Sequence, residues 1–213
     1  METEYKYRLE DRAQIRQILN DPMLDPFVNR DNLEDIRMHA VYFDTQDQDL
    51  RKAGIAYRIR HENDRITATI KWDNRVDDGL HSREEFNLVI NDERFAEDPD
   101  IKAFESSDAY DVLLRAAGDK KLVKLVEMEF VRQLIKVDTG RSMSALSFDD
   151  GVIHGENGDS VILEMEVEWY HGDEDDFREV ATSIAEKFDL KPENASKLQR
   201  GFAQDVSEIG ESY

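Results

Sequence analysis

The sequence predicts an α+β fold in which eight β-strands form the main element and helices flank them. Apolar and polar residues alternate with a period of two along most of the chain, which is the pattern of strands. The alternation stops over 91–121 and again after 173, where apolar residues recur at helical spacing. Because 213 residues can bury one sizeable core, we expect a single domain over 1–213.

The first half of the chain contains five of the predicted strands. The opening stretch "METEYKYRL" is the first, and a short helix follows in "LEDRAQIRQILN" before Pro22 and Pro26. Four more strands are predicted in "IRMHAVYFDT", "IAYRIRHE", "RITATIKW" and "SREEFNLVI". The stretch "HENDR" has the composition of a hairpin turn between the second and third of these four.

The second half combines three strands with helices. Residues 91–121 are predicted to be a helical insertion, since they contain "AYDVLLRAAGD", a short helix closed by Gly118. The strands are "LVKLVEMEFVRQLIKV", "SALSFDDGVI" and "SVILEMEVEWY". C-terminal helices are expected over 173–206: one in "DEDDFREVATSIAEKF", whose acidic first turn suits the helix dipole, and one that starts after Pro192.

Charge and cysteine content exclude several classes of protein. The 49 acidic residues against 28 Lys plus Arg give a net charge of −21, which repels nucleic acid and anionic lipid. No apolar run is long enough for a bilayer and no signal-peptide pattern is present, so we expect a cytoplasmic protein without a membrane partner. The absence of cysteine excludes disulfides, thiolate metal sites and cysteine nucleophiles. The five histidines match no metal-binding spacing, and the sequence leaves a homodimer open.

The charged residues of the predicted strands are sorted by sign. One face of "LEMEVEW" carries Glu164, Glu166 and Glu168, about 7 Å apart along the strand. Such carboxylates repel each other unless cations compensate them. Other strand faces carry the cations Arg58, Arg60, Lys71, Arg83, Arg132 and Lys136.

Two arrangements fit these faces. An antiparallel sheet can expose one polar face to water. Alternatively, a closed or nearly closed sheet turns its polar faces inward and leaves Met, Val, Tyr and Ile outside, to be covered by helices. Such a lumen suits a compact polyanion with a divalent metal. Arg and Lys hold phosphate oxygens, whereas Mg²⁺ or Mn²⁺ bridges phosphate to carboxylate.

Several motifs occur in order from the first residues to about Gly201. They are Glu2-x-Glu4-x-Lys6, "YFDTQDQDLRKAGIAYRIR" followed by "TATIK", then "LEMEVEW" and "SKLQRG". Together they resemble the CYTH family, the triphosphate tunnel metalloenzymes. The resemblance implies a closed tunnel of eight antiparallel strands that binds a triphosphate with Mg²⁺ or Mn²⁺ and cleaves it.

The resemblance also implies roles for individual residues. Glu4, Lys6 and Glu166 would be catalytic. In "FDDG" we favour Asp149 over Asp150 as the inward acid because it lies two residues before Gly151, as in the family. The role of Glu168 is left open. The residues that resemble phosphate-binding cations are Lys6, Arg58, Arg60, Lys71, Arg83, Arg132 and Lys197. Those that resemble metal ligands are Glu2, Glu4, Asp149, Glu164 and Glu166.

The expected activity is hydrolysis of inorganic triphosphate, a phosphoanhydride. The chain has no Gly-rich phosphate loop and no separate aromatic base pocket, which favours a small phosphate substrate. A class IV adenylyl cyclase or a thiamine triphosphatase would share the same phosphate and metal groups. A non-catalytic polyphosphate or nucleotide sensor is less favoured, because a pure binder would not need so full a set of metal carboxylates.

Overall fold

The computed structural model describes residues 1–202 and contains a closed antiparallel barrel of eight strands. The strands follow the order β5-β4-β3-β2-β6-β7-β8-β1, and β5 pairs with β1 to close the barrel. All eight predicted strands are confirmed. Their bounds are β1 Glu2–Arg8, β2 Glu34–Thr45, β3 Ala56–Glu62, β4 Arg65–Asp77, β5 Leu80–Ile90, β6 Leu122–Asp138, β7 Ser142–Gly155 and β8 Gly158–Gly172.

Helices lie between and after the strands. Within residues 1–202, no helix combines the length and the apolar character that crossing a membrane requires. A two-residue strand, β9 (Lys191–Pro192), pairs with the end of β1. The helices are α1 Arg12–Leu19, α2 Asp49–Lys52, α3 Glu93–Glu97, α4 Asp108–Ala117, α5 Glu174–Lys187 and α6 Lys197–Phe202.

The last predicted helix starts later than the sequence indicates. We expected it to begin after Pro192, but α6 begins at Lys197. The intervening residues are extended because they bind β1: the Glu193 amide donates to the Lys6 carbonyl over 2.9 Å. Residues 203–206, also predicted to be helical, lie outside the described residues.

Helices cover the outer wall of the barrel on two sides. On one side, α1 and α5 pack against β1, β7 and β8, and Phe177 and Ile184 of α5 are fully buried there. On the other side, the helical segment between β5 and β6 packs Phe104 and Leu113 onto β3 and β4. The expectation that apolar outer faces are covered by helices is therefore confirmed. The segment over 91–121 lies against the outer wall of the barrel.

Inside the barrel, one end is apolar and closed by α6. Inward-facing residues such as Met128, Ile153 and Ile162 form a buried cluster with β2 side chains. Helix α6 packs tightly on it: a Cβ on Gly201 would lie 2.7 Å from a Val126 methyl carbon. Gly201 therefore lets α6 approach the apolar cluster closely. The side chains of other α6 residues then reach the charged part of the interior.

Candidate active site in the barrel tunnel

Strand register determines which charges meet inside the barrel. In the β1–β8 pair, Glu4 lies opposite Glu168 and Lys6 opposite Glu166. On the other edge of β1, Glu2 lies opposite Arg83 of β5. Because side chains alternate between the two faces of a strand, these residues all point inward. The first strand is thus buried between two charged neighbours, and Glu4 is only 3% exposed.

The predicted site residues converge on one tunnel. A cavity of about 100 Å³ lies between them, and its lining also includes Tyr42, Glu85 and Glu168. Asp149 and Glu164 lie deeper and are fully buried. A larger cavity of about 490 Å³ lies outside the barrel beside α4 and contains none of the predicted residues. The predicted residues that line the tunnel cavity are Glu2, Glu4, Lys6, Arg58, Arg60, Lys71, Arg83, Arg132, Glu166 and Lys197.

Glu2 and Glu4 form a first carboxylate group, held by cations of β4 and β5. The Arg83 guanidinium donates to Glu2 over 2.5 Å and to Glu4 over 2.6 Å. Lys71 Nζ lies 2.9 Å from both Glu2 oxygens. Burial alone would raise the pKa of Glu2, but the charges of Lys71 and Arg83 outweigh it and hold the pKa well below its usual range. Glu2 is therefore ionised.

Asp149, Glu164 and Glu166 form a second group. Each offers an oxygen within 4.8 Å of the other two, and all three are buried. Lys197 Nζ contacts all three carboxylates, at 2.7 Å from Asp149 and 2.9 Å from Glu166. Burial would lower the pKa of Lys197, but these carboxylates raise it above its ordinary value, so the amine is charged. Oxygen donors alone make a site suited to a hard divalent cation.

Lys6 joins the two groups. Its Nζ lies 3.0 Å from Glu4 and also contacts Glu166. The family resemblance implies that five carboxylates form one set of metal ligands. The structure divides them into two groups on either side of Lys6, because Glu2 and Glu4 lie toward β5 while the other three lie toward β7 and α6.

The cations of β3 are the least compensated in the tunnel. Within the described part of the chain, Arg58 makes no salt bridge and has only a 3.4 Å bond to the Thr69 hydroxyl. Arg60 pairs with Glu62 at the tunnel rim. Burial, together with the adjacent charge of Arg58, lowers the pKa of Arg60 to about 10. Burial also lowers the pKa of Arg58, but the nearby acidic groups of Tyr42, Glu85 and Glu2 outweigh it and raise that pKa, so both side chains are cationic at neutral pH. An anion in the tunnel would therefore have its most favourable electrostatic interaction at this wall.

Glu168, in contrast to the β3 cations, is a carboxyl group whose negative charge lacks sufficient positive charge nearby. Burial and the charges of Glu4 and Glu2 raise the pKa of its carboxyl group to about 7. Negative charge therefore accumulates where β1 meets β8, whereas the least compensated positive charge, that of Arg58, lies on β3. A ligand that carries both signs, such as a phosphate chain with a divalent cation, matches this separation.

Glu168→Gln is expected to stabilise the metal-free protein at pH 8. A folded-state pKa of about 7 exceeds the usual value of 4.5, so the folded state binds the proton more tightly and loses stability as the pH rises between these values. Glutamine mimics the protonated form. Denaturant unfolding should show that the free energy of unfolding of Glu168→Gln exceeds that of the wild-type protein by close to about 3 kcal/mol at pH 8 and by less at pH 5. A gain that does not vary with pH would contradict the shifted pKa.

The structure also shows partners that the sequence did not indicate. Glu193 is 1% exposed, and its carboxylate accepts two bonds from Arg8. Its backbone carbonyl bonds the buried His81 ring over 2.8 Å. Glu193 lies in an irregular segment, so periodicity carried no signal for its burial.

The two neighbouring acids of "FDDG" point to opposite sides of the barrel wall. Asp149 is fully buried and accepts two 2.7 Å bonds from the Arg132 guanidinium. Asp150 points outward and pairs with Arg12 of α1 over 2.5 Å and 2.8 Å. The preference for Asp149 as the inward acid is confirmed.

The chain belongs to the CYTH family, because the model of the CYTH domain matches residues 1–202. It is similar to the inorganic triphosphatase of Haemophilus influenzae, with 26% identity over 161 residues. That match covers 76% of this chain and 44% of the relative, so the aligned part spans less than half the length of that protein.

Solved structures with low sequence identity share the fold. One is a putative adenylyl cyclase from Hippeastrum described as having a dominant triphosphatase activity; it has a TM-score of 0.71 and 22% identity, over 95% of this chain and 97% of that chain. Another is a putative adenylate cyclase from Bacillus halodurans, with a TM-score of 0.61 and 20% identity, over 95% and 98%. These likenesses support the closed barrel.

Proposed function

We propose that this protein hydrolyses a triphosphate inside the barrel, with inorganic triphosphate as the preferred substrate and Mg²⁺ or Mn²⁺ as cofactor. The observation that carries the proposal is one buried cavity lined by both cations and carboxylates. The inorganic triphosphatase named among the relatives supports the choice of substrate. A single domain, a cytoplasmic location and the absence of a nucleic-acid partner stay predictions.

The carboxylates fit the proposed metal. Their oxygens are hard ligands, and two groups of them lie on either side of Lys6. A bound Mg²⁺ or Mn²⁺ would neutralise phosphate charge and lower the pKa of a bound water. In this proposal the ligands are Glu2, Glu4, Asp149, Glu164 and Glu166.

The remaining residues bind the phosphate chain and position the water. Arg58 and Arg60 offer the least compensated charge and hold terminal phosphate oxygens. Lys6, between the two carboxylate groups, contacts the phosphate under attack. Glu4 accepts a hydrogen bond from the attacking water through a carboxylate oxygen and orients it. Most of the acceleration then comes from positioning and electrostatics. Lys71, Arg83, Arg132 and Lys197 complete the set of proposed phosphate-binding cations.

A substrate panel tests the proposal. Phosphate release is measured from inorganic triphosphate, ATP and thiamine triphosphate with Mg²⁺ or Mn²⁺, and cyclic AMP is measured in the ATP reaction. We expect the highest kcat/KM for inorganic triphosphate and no activity in EDTA. Formation of cyclic AMP would replace hydrolysis by a cyclase reaction. Tight triphosphate binding without release from any substrate would indicate a sensor.

One observation favours a larger substrate as the second candidate. Val89 on β5 and Tyr170 on β8 lie beyond Asn87 and Glu168 on the inward faces, and they are 50% and 43% exposed. Exposed apolar and aromatic surface at the end of a tunnel can bind the organic group of ATP or of thiamine triphosphate. The same panel distinguishes these substrates by their relative kcat/KM.

A further inference from the structure

The ammonium group of Lys197 lies where the second carboxylate group would bind a cation. It contacts Asp149, Glu164 and Glu166, which are the same three residues whose oxygens lie within 4.8 Å of each other. A divalent ion held by these oxygens and an ammonium group among them would repel each other at short range. The two cations therefore compete for one position.

The side chain of Lys197 has a second position available to it, in the lumen of the tunnel. Its side chain also lines the tunnel cavity, and a lysine stem is long and flexible. The helix that carries it is fixed more firmly: Arg200 contacts Glu164, and the preceding Glu193 is bonded to Lys6 through its backbone and to Arg8 through its carboxylate. A change at Lys197 is therefore a movement of the side chain and leaves α6 in place.

Arg132 differs from Lys197 in this respect. Its planar guanidinium makes two 2.7 Å bonds to Asp149 and a third, of 2.5 Å, to Glu166. Such a bidentate pair fixes the orientation of both groups. Lys197 is a point charge without that constraint, so it is the cation that a metal displaces most easily.

We propose that Lys197 is an internal counter-ion of the Asp149, Glu164 and Glu166 group, which a divalent ion displaces and which then binds a phosphate oxygen in the lumen. This inference rests on the proposed metal-dependent function of the same site. Metal binding and triphosphate binding are coupled through one side chain, because each favours the outward position of Lys197. Without metal, the same contact compensates part of the negative charge of three buried carboxylates.

Mn²⁺ titration by calorimetry, in the absence of phosphate, tests the competition. Lys197→Met is compared with the wild-type protein and with Lys71→Met. The second variant removes the same charge from the same tunnel, but the Lys71 side chain pairs with Glu2 and Glu85 instead. Loss of the competing ammonium should tighten Mn²⁺ binding by about tenfold or more in Lys197→Met. Lys71→Met should change it less.

The outcomes separate this inference from the proposed function. Tighter binding in Lys71→Met alone would place the ion at Glu2 and overturn the role of Lys197, while metal-dependent hydrolysis would stand. Absence of Mn²⁺ binding in every protein, together with no hydrolysis, would overturn both.

A measurement on the wild-type protein avoids reliance on the folding of a variant. The modification of Lys197 by an amine-reactive reagent is followed by mass spectrometry with and without Mn²⁺, again without phosphate. Displacement into the lumen should speed its labelling several-fold relative to that of exposed lysines, and added triphosphate should slow it again. Labelling that Mn²⁺ leaves unchanged would overturn the inference.

Discussion

Glu166→Gln is expected to lower metal-dependent turnover of triphosphate by at least about a hundredfold, the scale seen when one preorganised electrostatic group is removed. The Glu166 carboxylate contacts Lys6, Arg132 and Lys197, and these cations hold its pKa well below the usual range although burial raises it. Glutamine removes the charge and one oxygen ligand. Steady-state kinetics with Mg²⁺ or Mn²⁺ measure the loss, and Glu4→Gln should behave alike.

Two further variants serve as comparisons for Glu166→Gln. Asp150→Asn makes the same change in charge on the outer wall, where Asp150 pairs with Arg12, and should retain turnover close to that of the wild type. Lys6→Ala should raise KM more than it lowers kcat, since we assign Lys6 chiefly to substrate binding. Normal turnover by Glu166→Gln would disprove its role as a metal ligand.

Arg132→Met is expected to lower the free energy of unfolding by about 3–5 kcal/mol, because it removes one of the cations that pair with the buried carboxylates of Asp149 and Glu166 and leaves their charge incompletely compensated. Asp149 is fully buried and loses two hydrogen bonds, and Glu166 loses one. Urea unfolding of the metal-free protein at neutral pH measures the change.

The outer wall provides a matched comparison for this pair. Arg12→Met breaks the neighbouring Arg12–Asp150 pair, in which the Arg12 side chain is 71% exposed, and should lower the free energy of unfolding far less, because water screens an exposed ion pair. The double variant Arg132→Met with Asp149→Asn should recover part of the lost stability, since the unpaired charge is removed as well. Equal losses in Arg132→Met and Arg12→Met would contradict the buried-charge explanation.

Period-two alternation was sufficient to predict all eight strands and the inward faces of several. In "LEMEVEW" it placed the three carboxylates on one face, and the structure has Glu164 and Glu166 buried inside the barrel. The prediction succeeds because a strand in a closed sheet must separate its two faces completely. The same rule explains why Asp149 is buried and Asp150 outside.

The start of α6 was predicted incorrectly, for a physical reason. Pro192 followed by polar residues is a typical helix start, yet here Pro192 pairs with Tyr7 of β1 and the Glu193 amide bonds Lys6. Tertiary contacts with a strand more than 180 residues earlier in the chain prevail over the local preference. No local pattern in the sequence reports such a contact.

The sequence by itself determined which residues are charged, which face of each strand they share, and through the ordered motifs the family of the chain. Only the tertiary structure decided how those charges meet. Closure of the barrel places β1 between β5 and β8, so that Arg83 holds Glu2 and Glu4 while Lys197 lies among Asp149, Glu164 and Glu166. These partners are set by strand register and by the docking of α6. Both depend on contacts between residues far apart in the chain, which local periodicity does not encode.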